Sequence, residues 1–269
     1  MRESPSSRHA AEFLMDDEGV GSTPRVSVIT PVRNACSTLL QTITSVQTQT
    51  FPDWEMLLVD DGSTDGSVEL IERLARRDPR LRLIRSQTRH GAPAARNLGI
   101  RLARGRFIAF LDADDLWLPE KLACQVPRLE AGAGIVFSSY RRISPEGRHL
   151  GVVHARPSVQ YRDALGGNPI GCLTGVWDRE RFGPAQMPEL PMREDYAFWL
   201  SLLRQGATAE GLPNVLAEYR VSSNSRSSRK FRAARATWGV LHREVGFARA
   251  NVGFALYVIR SIRRRLGNN

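Results

Sequence analysis

An α/β fold with a mostly parallel central sheet, covered by helices on both faces, is predicted by three features of the chain. Short apolar runs recur as strands, segments with helical apolar spacing separate them, and the runs end in polar clusters, where open α/β sheets bind ligands. The 269 residues suffice for one large domain, or one domain with appendages, around a sizeable core.

Residues 1 to about 24, with Ser, Pro and mixed charge and little periodicity, read as a mobile leader. A short strand follows at Val26, Val28 and Ile29, and Leu39, Ile43 and Val46 then recur at helical spacing. Trp54 to Val59 forms a second apolar run, closed by the turn Asp60-Asp61-Gly62-Ser63. The next helix carries Val68, Ile71 and Leu74 on one face, with Ser63, Thr64 or Asp65 available as its N-cap. Leu81, Leu83 and Ile84 give a third strand; after Gly91 comes a helix with Pro93 in its first turn and the face Ala95, Leu98, Leu102.

Arg106 to Asp115, RFIAFLDADD, is the stretch around which the chain is organised. Its apolar half reads as a strand buried on both faces, delivering Asp112, Asp114 and Asp115 to a crevice. Carboxylates this close repel one another, so a divalent cation or cationic partner would explain them; the plainer alternative is a solvated acidic turn before the next helix. That helix opens near Pro119 and runs through Leu122, Val126 and Leu129, and Ile135 to Ser139 is a fifth strand. From Tyr140 to Arg193 the pattern dissolves, apart from a strand expected at Cys172 to Trp177; such long irregular stretches suit an acceptor-binding wall. Glu194-Asp195 then heads a helix with the face Tyr196, Trp199, Leu200, Leu203, ending at Gly206.

The net charge of +10 is not spread evenly. Residues 220–269 hold 12 Arg or Lys and one acid, Glu244, a balance of +11 that leaves the first 219 residues near −1. The globular part is therefore no basic nucleic-acid binder, and nucleic-acid binding would rest on the tail alone. Cys36, Cys124 and Cys172 lack metal-ligand spacing and cannot all pair, which fits a reducing, cytoplasmic compartment. No run of 18 apolar residues occurs, and the N-terminus lacks a secretion pattern.

Read singly, the clusters Thr30-Pro31-Val32-Arg33-Asn34, Asp60-Asp61-Gly62-Ser63, Arg96-Asn97 and Asp112-Ala113-Asp114-Asp115 are ordinary turn chemistry. Their order on strands and helices resembles the family 2 glycosyltransferases of the GT-A fold, over roughly residues 25–225. The pieces that carry the resemblance are VSVITPVRN, VDDGSTDGS, GAPAARNLGI, FLDADD, REDYAFWL and EYRVSSNS.

The resemblance implies that Thr30, Pro31 and Arg33 line a donor nucleotide, and that Asp60 or Asp61 accepts a hydrogen bond from its base, most often uracil. It places Arg96 and Asn97 near the nucleotide and Asp112 at the ribose or a metal-bound water, and makes Asp114 the ligand of Mg²⁺ or Mn²⁺. In Glu194-Asp195 the second acid would be the general base of an inverting transfer from a nucleotide-diphosphate sugar to an acceptor hydroxyl, in cell-surface polysaccharide or glycolipid synthesis. Many relatives carry a histidine two positions after the Tyr-Arg pair that can join the metal, where this chain has Ser222, a weaker ligand. The rival reading is a catalytically silent nucleotide-sugar-binding or scaffold protein of the same fold.

Residues 226–269 are expected to form a basic helical extension. From Val252, the residues Ala255, Leu256, Ile259, Ile262 and Leu266 share one side, and Arg263 on its flank would have to snorkel. Residues 227–269 would lie on an anionic cytoplasmic membrane face, near a glycan or lipid-linked acceptor, or dock on the catalytic domain or an oligomer interface.

Overall fold

The computed structural model describes residues 23–86, 89–221 and 230–266; the leader expected at 1–24 lies almost wholly outside these residues. The first half alternates as the sequence predicts: β1 (Val26–Val32), α1 (Cys36–Gln47), β2 (Trp54–Asp60), α2 (Ser67–Ala75), β3 (Leu81–Arg85), α3 (Ala92–Leu102) and β4 (Phe107–Phe110). Then come β5 (Leu116–Trp117), α4 (Lys121–Glu130), β6 (Ile135–Ile143), β7 (His149–Val153), β8 (Ser158–Val159) and α5 (Tyr161–Ala164). A 3₁₀ turn (Cys172–Thr174), β9 (Val176–Asp178), α6 (Arg179–Phe182), α7 (Glu194–Arg204), β10 (Ala209–Arg220) and α8 (Lys230–Leu266) complete the chain.

The strands form one sheet in the order β3-β2-β1-β4-β9-β6-β10-β5, with β7 on β6 and β8 on β10. Strands β3, β2, β1, β4, β6 and β10 run in one direction, and β9 and β5 oppose them. The continuous apolar runs are explained by burial on both faces. Val26, Val28, Trp54, Met56, Leu58, Phe107 and Ala109 meet α1, α2 and α4, while Ile29, Leu57, Val59, Ile108 and Phe110 meet α3 and α7. Each fully buried aliphatic or Phe side chain contributes roughly 1.5–3 kcal/mol.

Two expectations are revised, and one strand is found that the sequence does not suggest. The stretch Cys172–Trp177 is a 3₁₀ turn followed by a strand that begins only at Val176. The N-cap of α2 is Gly66, whose φ of 82° suits glycine; Asp65, one residue earlier, still accepts the Ser67 amide at 3.1 Å. A 12-residue strand, β10, occupies AEGLPNVLAEYR, where Gly211 and Pro213 conceal it; its register on β6 shifts on either side of Val215.

Two buried features hold the half of the sheet that carries the site. Phe110, Trp177, Phe198 and Trp199 pack edge to face, with centroids 5.2–5.7 Å apart for the three contacts of Phe198, and fix α7 on the sheet. On the other side Lys121, fully buried, donates to Gln125 and to Thr174 O at 2.9 Å, tying α4 to the 3₁₀ turn. Burial lowers the Lys121 pKa to about 7, against 10.5 for an ordinary lysine. Between these values the folded chain has released a proton that the unfolded chain keeps, so stability from this group grows as pH rises through the window. The melting temperature of the wild type should therefore climb, relative to Lys121→Met, from about pH 7 to about pH 9. Parallel curves for the two proteins would show that the amine does not titrate there.

Candidate active site

The C-terminal ends of β1, β2 and β4 converge with the N-termini of α3 and α7. Loops β1–α1 and β2–α2 are laced together: Asn34 Oδ1 accepts the Thr64 amide at 2.8 Å, and Ser63 Oγ and Ser67 Oγ accept the amides of Asn34 and Ala35, each at 3.0 Å. Asp65 Oδ2 accepts the Cys36 amide at the start of α1, also at 3.0 Å. Pro31 is half-buried and Arg33 exposed at this rim, whereas Thr30 lies beneath it, fully buried.

Both acids at the end of β2 are engaged by backbone. Asp60 closes its own turn through the amides of Gly62 and Ser63, and Asp61 takes the amides of His90 (2.8 Å) and Gly91 (3.0 Å), which fastens the approach to α3.

Helix α3 is buried on more sides than its apolar spacing predicts, because the 183–193 loop covers it. Asn97 does not open towards a ligand: its Nδ2 donates to Met187 O at 2.8 Å and its Oδ1 accepts the Met187 amide at 2.7 Å. Arg96, almost fully buried, joins two parts of the site, donating through Nη2 to Asp112 and through Nη1 to Glu194 at 3.3 Å. Burial opposes its charge, but Asp112, Cys172 and Glu194 outweigh it and raise its pKa further.

The three acids after β4 have different surroundings. Asp112 keeps 36% of its side chain exposed while held by Arg96. Asp115 is buried and accepts the Arg220 amide at 2.9 Å; burial and then Asp114 and Asp112 push its pKa well up. Among the described residues the Asp114 carboxyl takes a hydrogen bond only from its own backbone amide, with the Arg220 charge nearby; burial and then Asp112 outweigh both and raise its pKa. Arg220 clasps this loop, donating to Asp114 O (2.9 Å), Pro145 O (2.6 Å) and Gln41 Oε1 (2.8 Å).

At the start of α7, Arg193 adopts a left-handed φ of 67° and Asp195 accepts from Asn168 Nδ2 at 2.8 Å. Burial and then Glu194 raise the Asp195 pKa. Sequence reasoning assigns no role to Asn168, Arg193, Cys172 or Arg220; Arg193 and Arg220 stand inside the quoted REDY and EYR motifs, while Asn168 and Cys172 lie in the patternless stretch. Ser222 lies outside the described residues.

Among the described residues no three His, Cys, Asp or Glu are arranged to hold a metal. The chemistry still fits a hard cation such as Mg²⁺ or Mn²⁺, which takes one or two carboxylates and completes its shell with substrate phosphates and water. The Asp114 carboxylate, which takes no hydrogen bond from another residue among the described ones and stands in a crowded acidic loop, meets that need.

The sequence model described as Glycosyl transferase family 2 matches residues 27–177. The chain belongs to glycosyl transferase family 2. It is 42% identical over 248 residues to glycosyltransferase TuaG of Bacillus subtilis (strain 168), whose name assigns it to teichuronic acid biosynthesis; the match covers 90% of this chain and 98% of TuaG. Identity is 35% over 242 residues to WfgD of Escherichia coli, named as a UDP-Glc:α-D-GlcNAc-diphosphoundecaprenol β-1,3-glucosyltransferase, covering 89% and 94% of the two chains. In fold, S. aureus TarS in complex with UDP-GlcNAc superposes with a TM-score of 0.67 at 20% identity, over 87% of this chain and 71% of TarS. A mannosyltransferase from Pyrobaculum calidifontis in complex with GDP-Man and Mn²⁺ gives 0.65 at 22%, over 89% and 75%. The family 2 chain thus has the GT-A fold that its motifs imply.

Arg96 is the member of this site whose loss leaves most uncompensated. Arg96→Met should destabilise by about 3–5 kcal/mol in urea unfolding, because Asp112 and Glu194 lose their buried counter-charge. Adding Asp112→Asn and Glu194→Gln should recover a substantial part. A cost below about 1 kcal/mol for the single variant would mean that the pairs do not hold the site.

Proposed function

We propose that this family 2 protein transfers a sugar from a nucleotide-diphosphate sugar, with UDP as the carrier, to a hydroxyl of a lipid-linked or cell-surface glycan acceptor, inverting the anomeric carbon. The observation that carries this reading is that two acids stand on segments tied to one another: Asp114, which takes no hydrogen bond from another residue among the described ones, and Asp195, buried at the head of α7. Asp112 and Glu194, beside them, are joined through Arg96. The names of WfgD and of the TarS complex support UDP as carrier, and that of WfgD a diphosphoundecaprenol-linked acceptor.

The donor nucleotide would lie along the β1 and β2 ends, with Pro31 and Arg33 at the rim and Asp60 or Asp61 offering a remaining lone pair to the base. Arg96 acts by holding Asp112 towards the ribose, and Asp114 would hold Mg²⁺ or Mn²⁺. When bound, the cation neutralises charge on the departing nucleoside diphosphate. Asp195 takes the proton of the acceptor hydroxyl as that oxygen bonds to the anomeric carbon and the bond to the diphosphate breaks, its electron pair leaving with the nucleotide. A raised pKa makes the ionised Asp195 a stronger base, and such help is worth roughly 10²–10⁴ in rate.

A thermal-shift screen of UDP-glucose, UDP-GlcNAc and GDP-mannose, with and without Mn²⁺, identifies the donor through ligand-raised melting temperature. With that donor, Asp114→Asn should abolish metal-dependent binding, and Asp195→Asn should lower kcat by on the order of 10² or more at nearly unchanged donor affinity. Metal-dependent affinity intact in Asp114→Asn removes the metal assignment; kcat intact in Asp195→Asn removes the base. Donor binding with no turnover on any acceptor would favour the silent binding protein.

The extension 226–269 has a membrane role in this reading, beside the catalytic unit 25–225. Helix α8 buries Ala233, Val240, Leu241 and Ala250 on the enzyme, so its inner face is docked. Beyond the break at Gly246 (φ 74°), its outer side exposes Phe247, Val252, Leu256 and Ile259 next to Arg249, and the sequence continues with Arg260, Arg263, Arg264 and Arg265. No described helix is long and apolar enough to cross a membrane, which leaves this face to lie on the surface. Each basic residue near anionic lipid adds about 1 kcal/mol. Phosphatidylglycerol vesicles should co-sediment the full chain at physiological salt but not the triple variant Val252→Ser, Leu256→Ser, Ile259→Ser, whose melting temperature should be nearly unchanged. Failure of the full chain to sediment ends the membrane proposal.

A further inference from the structure

Asn168 touches two groups that differ in what they demand of it. Its Oδ1 accepts the Ile170 amide at 3.2 Å and its Nδ2 donates to Asp195 Oδ2 at 2.8 Å. An amide can only donate and an ionised carboxylate can only accept, so the two contacts fix the orientation of the side chain. The loop that carries Asn168 is held by both halves of α8 and by α7. Tyr161 OH donates to Glu244 Oε1 at 2.9 Å, and Tyr196 OH, next to Asp195, donates to Ala164 O at 2.7 Å. Past the break at Gly246 the approach is closer: a Cβ on Gly253 would lie 2.6 Å from Leu165 O, and one on Gly167 would lie 2.9 Å from Tyr257 Cδ2.

We infer that Asn168 is the positioning residue for Asp195, and that the second half of α8, pressed through Gly253 and Tyr257 onto residues 165–167, keeps it in place. The C-terminal helix is then a working part of the catalytic apparatus as well as a docked appendage. This inference rests on the reading of Asp195 as the base. Orientation matters because the proton must be taken along the line of attack, and displacement of the base by about 1 Å can cost about 10²-fold in rate. Besides Asn168, the groups that face Asp195 are Glu194, Arg193 and the Tyr196 backbone amide from its own turn, Arg96 from α3 and Cys172 from the 3₁₀ turn. A donor lost from this set leaves the negative form of Asp195 less stabilised.

Two variants test the chain of contacts. Asn168→Asp keeps an oxygen for the Ile170 amide and removes the donor to Asp195. Gly253→Ala favours the helix itself but forces it away from Leu165. Both should retain donor affinity by titration calorimetry, lower kcat about tenfold or more, and move the acid limb of the kcat profile to higher pH. The titration of the Asp195 carboxyl, followed by ¹³C NMR and assigned with Asp195→Asn, needs no substrate and should rise by about one unit in each variant. Wild-type kcat and an unmoved Asp195 titration in both variants overturn the inference. If Asn168→Asp does not fold, Gly253→Ala decides alone by the same readouts. Should Asp195→Asn keep wild-type kcat, the base assignment itself fails. An inactive Asp195→Asn beside wild-type Asn168→Asp and Gly253→Ala removes only the positioning role.

Discussion

The buried guanidinium of Arg96 is the interaction on which the candidate site depends. Carboxylates from two distant parts of the chain, Asp112 after β4 and Glu194 at the head of α7, meet at one side chain that water barely reaches. Like charges brought this close would repel one another; a permanently charged, forked cation between them removes that pressure and sets their spacing. Helix α7 and the acidic loop are thereby kept in register, and with them the segments that carry the two acids of the proposed mechanism, Asp114 and Asp195.

Around this pair the acids divide by what their oxygens already bind. Asp60, Asp61 and Asp115 accept backbone amides from their own or neighbouring loops, and so act as fasteners. Asp114 takes only its own backbone amide, and Asp195 takes the Tyr196 amide of its own helix together with the Asn168 side chain. Burial, and after it the neighbouring acids, gives the same direction of pKa shift to Asp114, Asp115 and Asp195, so their surroundings differ in hydrogen-bond partners and not in the direction of titration.

The C-terminal helix shows the same division between faces. Its inner residues are small or apolar and complete the core over α7, while the outer side after Gly246 keeps large apolar groups in water beside Arg249. A helix apolar only towards the enzyme would explain docking alone. This one is apolar in two directions, and the second is the face on which the proposed membrane contact rests.

Much of the fold was legible because it is local. Runs such as Trp54–Val59 and Phe107–Leu111 are apolar throughout because both faces of a parallel sheet are buried, and the acidic and polar clusters stand at the strand ends where chain direction requires them. The ordered motifs likewise pointed to Asp112, Asp114 and Glu194-Asp195. Other features depend on partners that the local pattern cannot name. Strand β10, interrupted by Gly211 and Pro213, exists because β6 offers it a ladder. Asn97 looks like a ligand-binding amide until Met187, 90 residues on, takes both its hydrogen bonds. Arg220 finds Asp115 across 105 residues, and Asn168 finds Asp195 from a stretch without periodicity. Periodicity records which face a residue buries; which polar group it meets there is decided by chain segments far away in sequence, and only the folded structure brings them together.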